Sequence, residues 1–136
     1  MLLVRILMIG ILPIPLLQVQ DAIPNTPALL EEAHRSGELY EVIIREAWSG
    51  DSNAVTALFA SEDLQSFHDQ ARLELRQVLW SLLQHLGDQR FAEVLAARDL
   101  RTRTAIIRAL KSVSSRDTLR ARYPLTWRLG TRPVGR

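Results

Sequence analysis

Apolar residues recur at three- and four-residue steps along most of the chain, which is the spacing of amphipathic α-helices. No segment shows the sustained alternation of apolar and polar residues that a strand requires, and the longest β-branched stretch is Val42–Ile44. Glycine, proline and capping residues divide the sequence into short helices. The pattern therefore predicts an all-α fold of short stacked helical hairpins.

The longest apolar pattern predicts a central helix. It begins at a cap at Ser61, with two acidic residues in its first turn, and ends at Gly87. Leu73 and Trp80 lie opposite its main apolar stripe, so this helix is expected to pack between two neighbours. The stripe consists of Leu64, Phe67, Ala71, Leu75, Val78, Leu79, Leu82 and Leu86.

The other helices are short, and residues at their ends mark them. A Thr26 cap followed by Pro27 begins the first helix, which is expected to stop near Gly37. A second helix runs from about residue 38 to residue 48. Its predicted apolar face consists of Leu39, Val42, Ile43 and Ala47. Further caps are predicted at Asp51 or Ser52, at Asp88, at Asp99 and at Ser114 or Ser115.

Two Gly-Asp turns occur in parallel contexts. Trp48–Leu58 and His85–Leu95 each combine the end of a helix, a Gly-Asp turn and a short second helix. The glycine is expected to supply the left-handed stop and the aspartate to cap the next helix. The repetition predicts two similar helical hairpins.

Leu75–Leu110 resembles a HEAT-type repeat and the start of the next one. The resemblance rests on Gly87-Asp88, Asp99, Arg103 and Ala105, and it extends loosely over about residues 38–111. It implies a fragment of an α-solenoid, a curved stack of hairpins that binds other macromolecules and has no shared catalytic residues. A small, non-repeating helical bundle is the alternative.

The N-terminal segment has the pattern of an export signal. Arg5 precedes an apolar run that ends at Leu17 and contains Pro13 and Pro15. As a helix this run would span about 18 Å, less than the bilayer core of about 30 Å. Residues 1–22 are therefore predicted to be a signal peptide, or an uncleaved signal anchor, that directs the protein to the periplasm or another part of the cell envelope, or outside the cell.

Charge is unevenly distributed along the chain. Residues 21–100 hold fourteen Asp and Glu against six Arg, whereas residues 101–136 hold ten Arg and Lys against Asp117 alone. Prolines and glycines predict that residues 124–136 form a disordered basic tail after a helical domain over residues 23–123. The residues predicted to bind a partner are Arg120, Arg122, Trp127, Arg128 and Arg132.

The sequence contains no motif for catalysis, metal binding or cofactor binding. It has no cysteine, three scattered histidines, no Gly-x-Ser-x-Gly motif and only isolated glycines. The primary hypothesis is an exported, non-enzymatic protein–protein interaction module. The alternative is a peripheral or signal-anchored protein whose tail lies on anionic lipid, followed by a small hydrolase. Export would disfavour nucleic acid as a partner, and no small-molecule ligand can be named.

Overall fold

Eight helices account for most of the residues that the structure describes. The computed structural model describes residues 23–64 and 67–130. Its helices are α1 (Pro27–Arg35), α2 (Tyr40–Trp48), α3 (Ser52–Leu64), α4 (Asp69–Leu86), α5 (Asp88–Ala96), α6 (Leu100–Val113), α7 (Arg116–Arg122) and α8 (Pro124–Arg128). These described ranges contain no strand, which confirms the all-α fold. The predicted leader, residues 1–22, lies outside them.

Helix α4 is the centre of the packing, as predicted. It contacts α1, α2, α3, α5 and α6. From residue 71 onward the predicted stripe faces the core, with Ala71, Leu75, Val78, Leu79 and Leu82 buried. On the opposite side, the Trp80 and Tyr123 rings pack edge to face, with 5.5 Å between ring centroids. Leu73 remains 42% exposed, so the expectation that both sides are covered holds only at Trp80.

The predicted start of the central helix at Ser61 is wrong. Ser61 lies inside α3, where its hydroxyl donates to the Ala57 carbonyl at 2.9 Å and also bonds the Tyr40 hydroxyl. A serine that bonds back to the preceding turn occupies a helix interior and does not cap a new helix. Helix α3 continues to Leu64, and α4 begins at Asp69.

The predicted apolar face of α2 is only partly right, since Ala47 is buried and Ile43 packs partly buried against the core, but Leu39 and Val42 do not belong to it. Leu39 and Val42 are 54% and 37% exposed, whereas Tyr40, Ile44 and Ala47 are buried. The face turns because Tyr40 buries its ring edge-on against Phe67 while its hydroxyl finds a partner in Ser61. A buried tyrosine requires such a partner, and only another helix supplies it here.

Carboxylates cap α1 and α4 reciprocally. Buried Glu74 of α4 accepts from the Leu29 N–H in the first turn of α1 at 2.9 Å. Glu32 of α1 accepts from the His68 N–H at the start of α4 at 2.8 Å. The side chain of Thr26 makes no cap, so Glu74 supplies the acceptor and the negative charge that the start of α1 favours.

The two Gly-Asp turns place two hairpins side by side. Gly50 and Gly87 have φ of +94° and +90°, as predicted for residues that stop a helix. Asp51 accepts from the Ala54 N–H at 3.0 Å and caps α3. Helix α2 packs on α4 and α3 packs on α5, while α6 contacts both α3 and α4. The HEAT-type resemblance stays a prediction.

Asp88 does not cap its own helix as predicted. Its two carboxylate oxygens accept from the Leu125 and Thr126 N–H groups at 2.8 Å each, so it caps α8, which lies 37 residues further along the chain. The prediction of a disordered tail is therefore wrong over residues 124–130. Pro124 suits the first position of a helix, and buried Thr126 anchors that helix. Residues 131–136, including Arg132, lie outside the described residues.

The predicted caps of α6 and α7 are confirmed. Asp99 accepts from the Thr102 N–H at 2.9 Å, and Ser115 accepts from the Thr118 N–H at 3.1 Å. The backbone hydrogen bond from Thr102 lowers the pKa of the Asp99 carboxyl below its usual value, because it favours the ionised form.

Gly130 allows the chain after α8 to approach α6 closely. A Cβ at this position would lie 2.6 Å from Cγ1 and 2.9 Å from Cβ of Ile107. Such distances require the backbone or the isoleucine to shift. We expect Gly130→Ala to lower the free energy of unfolding by about 1–3 kcal/mol, as overpacking does, measured by urea denaturation. In an Ile107→Ala background this cost should fall, because the 2.6 Å contact with Cγ1 is removed while the 2.9 Å contact with Cβ remains. An equal cost in both backgrounds would contradict the contact.

The Asp88 carboxylate is expected to hold α8 on the fold. Asp88→Ala removes two charge-assisted hydrogen bonds, so we expect a loss of about 1–3 kcal/mol and faster amide hydrogen exchange at Leu125 and Thr126. Asp99→Ala is the matched control, because it removes a cap within α6 and should accelerate exchange at Thr102 instead. Unchanged exchange at Leu125 in Asp88→Ala would show that α8 is held by other contacts.

Candidate functional site

Helix α6 presents a row of cations on the side opposite the core. Arg101, Arg108 and Lys111 are exposed and fall within about 80° of one another at 100° per residue. The buried face, which includes Ile106 and Leu110, lies on the other side of the helix. Arg103 points elsewhere and donates to the Arg98 carbonyl at 3.2 Å. The periodicity of this helix therefore makes a basic ridge.

Helix α7 carries further cations on both sides of its buried residue. Arg116 and Arg120 are one turn apart and exposed on the same side. Arg120 lies 3.6 Å from Asp117, an exposed pair that contributes little to stability. Arg122 leaves the helix about 200° from Arg120. Its guanidinium lies 5.9 Å from the Tyr123 ring centroid.

Trp127 of α8 lies beside one of the α6 cations, Lys111. Its ring packs partly buried against the core, and Lys111 Nζ lies 5.9 Å from its ring centroid, within the range of a cation–π contact. Arg128, the next residue, is exposed. We call the exposed cations of these three helices the basic surface: Arg101, Arg108, Lys111, Arg116, Arg120, Arg122 and Arg128.

The structure separates the residues predicted to bind a partner. Arg120, Arg122 and Arg128 are exposed and belong to the basic surface, whereas Trp127 is largely a packing residue. Arg120 and Arg122 diverge from the same helix and do not form one cluster. The α6 cations are the other part of the surface. Helical spacing alone predicts a ridge of Arg101, Arg103, Arg108 and Lys111, although Arg103 points elsewhere. The contact of Lys111 with Trp127 depends on the tertiary fold.

A polar cleft lies where the two hairpins meet. Its volume is about 290 Å³, and its lining includes Asn53, Thr56, Glu93 and Arg98. Arg90 spans its edge, where one guanidinium nitrogen donates to the Gly50 carbonyl at 2.8 Å and to Ser52 Oγ at 3.0 Å. These bonds join the start of α5 to the turn before α3, so the arginine has a structural role in the hairpin stack.

An ion pair is buried between α3 and α4. Arg76 Nε donates to Glu62 Oε1 at 3.0 Å, and the Glu62 side chain is only 3% exposed. Its second oxygen is buried without a hydrogen bond. Burial raises the pKa of the Glu62 carboxyl above its usual value, although the positive charge and hydrogen bond of Arg76 act in the opposite direction.

The histidines do not converge. His85 Nε2 lies 2.9 Å from the Trp48 carbonyl oxygen, and its ring stacks on Trp48 with 5.0 Å between centroids, whereas His34 and His68 are exposed. Across residues 23–64 and 67–130, no three His, Asp or Glu residues come together in a way that could hold a metal ion. Within the same ranges, no helix has the length and apolar character needed to cross a membrane.

The Glu62 carboxyl is expected to give a measurable pH dependence. Because its pKa is raised on folding, its contribution to stability is present below the unfolded pKa of about 4.3 and is lost as pH rises through the folded pKa. Glu62→Gln keeps an acceptor for Arg76 but carries no charge. We therefore expect this variant to gain free energy of unfolding relative to wild type as pH rises from about 4 to about 7, measured by urea denaturation.

Asp99→Asn is a control for which we expect the opposite change of relative stability with pH. The pKa of Asp99 is lowered on folding, so its contribution is present above the unfolded pKa of about 3.9 and is lost as pH falls through the folded pKa. That variant should lose stability relative to wild type as pH rises from below the folded pKa to about 4, and the difference should change little from about pH 4 to about pH 7. A difference between Glu62→Gln and wild type that stays constant with pH would contradict the raised pKa.

No family model matches this chain, and no curated protein or solved structure is significantly similar to it. The charges, contacts and exposed residues of the described helices therefore indicate its function.

Proposed function

We propose that this chain is an exported, non-enzymatic interaction module of HEAT-type helical hairpins, and that its basic surface binds an acidic protein. The observation that carries the proposal is the concentration of exposed cations on α6–α8. Eight Lys and Arg lie on these three helices, and all except Arg103 are exposed. Asp117 is the only acidic residue on them.

The proposed partner follows from the electrostatics of this surface. Exposed charges of one sign attract an oppositely charged partner over about one Debye length, roughly 8 Å at physiological salt. Such complementarity accelerates association and excludes partners of like charge more than it raises affinity. A partner with a carboxylate-rich surface would therefore be recognised, and its binding would weaken with added salt.

The arrangement of the cations favours a protein over an anionic membrane. A bilayer presents a flat plane, whereas the cations of α7 point to different sides, with Arg120 and Arg122 about 200° apart. A protein partner can contact several sides of a helix, whereas a flat bilayer surface can contact only one side. The proposed export rests on the sequence of residues 1–22 and disfavours nucleic acid as the partner.

A matched pair of double variants of the full chain tests the surface. Arg108→Glu/Arg116→Glu reverses two exposed charges on the basic surface, and Arg35→Glu/Arg45→Glu reverses two exposed charges on α1 and α2. With poly-glutamate as the probe, we expect the first variant to bind roughly tenfold more weakly and the second to bind like wild type. Fluorescence anisotropy at several salt concentrations measures both affinity and its salt dependence.

Two results would overturn the proposal. Equal losses in both variants would show that overall charge, and not this surface, determines binding. Binding to phosphatidylcholine–phosphatidylglycerol vesicles but not to poly-glutamate would favour the membrane alternative. Separate circular dichroism spectra establish that both variants remain helical.

A further inference from the structure

The exposed side of α2 combines apolar and acidic residues. Val42 and Glu46 are four residues apart on α2, and Leu39, three residues before Val42, is the residue directly before the helix. Leu39 and Val42 are among the exposed large hydrophobic residues of the described chain, and Glu46 is exposed beside them. Exposed Glu38 precedes Leu39 directly. We call Glu38, Leu39, Val42 and Glu46 the acidic patch.

The exposed side of α8 combines apolar and basic residues. Leu125 is 43% exposed, and Arg128 lies three residues further on the same side of the helix. Exposed Arg122 ends α7, which packs on α8. We call Arg122, Leu125 and Arg128 the basic patch. It forms one end of the basic surface.

The two patches are complementary to each other. The charges of the acidic patch are Glu38 and Glu46, and those of the basic patch are Arg122 and Arg128. One charge of the other sign lies near each patch: exposed Arg45 is three residues from Val42, and the Asp88 carboxylate accepts from the Leu125 N–H. The full chain carries a formal net charge of only +2 at pH 7. Overall repulsion between two copies is therefore weak, and the opposite local charges of the two patches can determine how the copies meet.

We propose that the acidic patch of one copy of this chain docks on the basic patch of a second copy. In this contact, Leu39 and Val42 pack against Leu125, while Glu38 and Glu46 lie opposite Arg122 and Arg128. The inference rests on the proposed function, because it names a second copy as the acidic protein that the basic surface binds. Contact between two different patches is head-to-tail, so it builds a ring or a chain of copies.

A charge-swap experiment on the full chain tests this contact. Glu38→Arg/Glu46→Arg makes both patches basic, and Arg122→Glu/Arg128→Glu makes both patches acidic. Each variant alone should repel itself, whereas a mixture of the two restores opposite charges at the contact. An affinity-tagged copy captures an untagged copy, and sedimentation velocity measures the size of the complexes at low and moderate salt.

We expect wild-type copies to associate at low salt and to separate as salt is raised. Each variant alone should associate at least tenfold more weakly than wild type, and the mixture should recover the association. Circular dichroism of each variant alone shows whether it remains helical. Salt distinguishes this contact from any association through the apolar N-terminal segment. Such association would be the same in all the variants and would not weaken with salt, because salt screens charges and does not weaken apolar burial.

Failure of this inference is distinguishable from failure of the proposed function. Wild-type chains that remain single at low salt, or a mixture that does not recover association, would overturn the docking of one copy on another. If Arg108→Glu/Arg116→Glu still lost binding to poly-glutamate, the proposed function would stand with a different acidic protein as the partner. If wild-type chains stayed single and Arg108→Glu/Arg116→Glu still bound poly-glutamate like wild type, both proposals would be overturned.

Discussion

Burial of the apolar stripe of α4 is the constraint on which the described fold depends. Every other helix packs on α4 either directly or through one neighbour: α7 through α6, and α8 through α5. A single helical hairpin cannot bury its apolar side alone. The helices around α4 are therefore stable only while they cover its apolar stripe. The opposite side of α4 is also used, because Trp80 contacts the ring of Tyr123 where α7 ends.

Polar contacts then select how the helices are arranged around α4. The first turn of a helix leaves N–H groups without partners inside the helix, and here carboxylates from other helices accept from them. Glu74 and Glu32 join α1 to α4, and Asp88 joins α5 to α8. Apolar contact is non-directional, whereas these bonds require particular atoms to face each other. They therefore specify the order and direction of packing.

The same use of carboxylates shapes the surface charge. Several acidic residues of the first hundred are engaged inside the fold or at helix ends, including Glu32, Glu62 and Glu74. The cations of α6–α8 are all exposed except Arg103. The exposed charge of the C-terminal helices is thus more strongly basic than the near-neutral composition indicates. Both proposals on function depend on this difference.

Local physical chemistry determined a large part of this structure from the sequence alone. Helical periodicity predicts the all-α fold and the stripe of α4, because the side chains that must be buried repeat with the helix turn. Gly50 and Gly87 end helices because glycine accepts positive φ at low cost. Asp51, Asp99 and Ser115 cap the helices that follow them, since each acceptor needs only a donor three residues away.

The tertiary structure decided the features whose partners are distant in the sequence. Ser61 resembles a cap until Tyr40 and the preceding turn are in place, and Asp88 resembles one until α8 lies beside it. The order of residues 124–130 and the outward side of α2 depend in the same way on contacts with other helices. In the candidate site, the sequence predicts the cations, but only the fold places Lys111 over Trp127. Periodicity and capping report on neighbours within about one helical turn, whereas these contacts join segments that folding alone brings together.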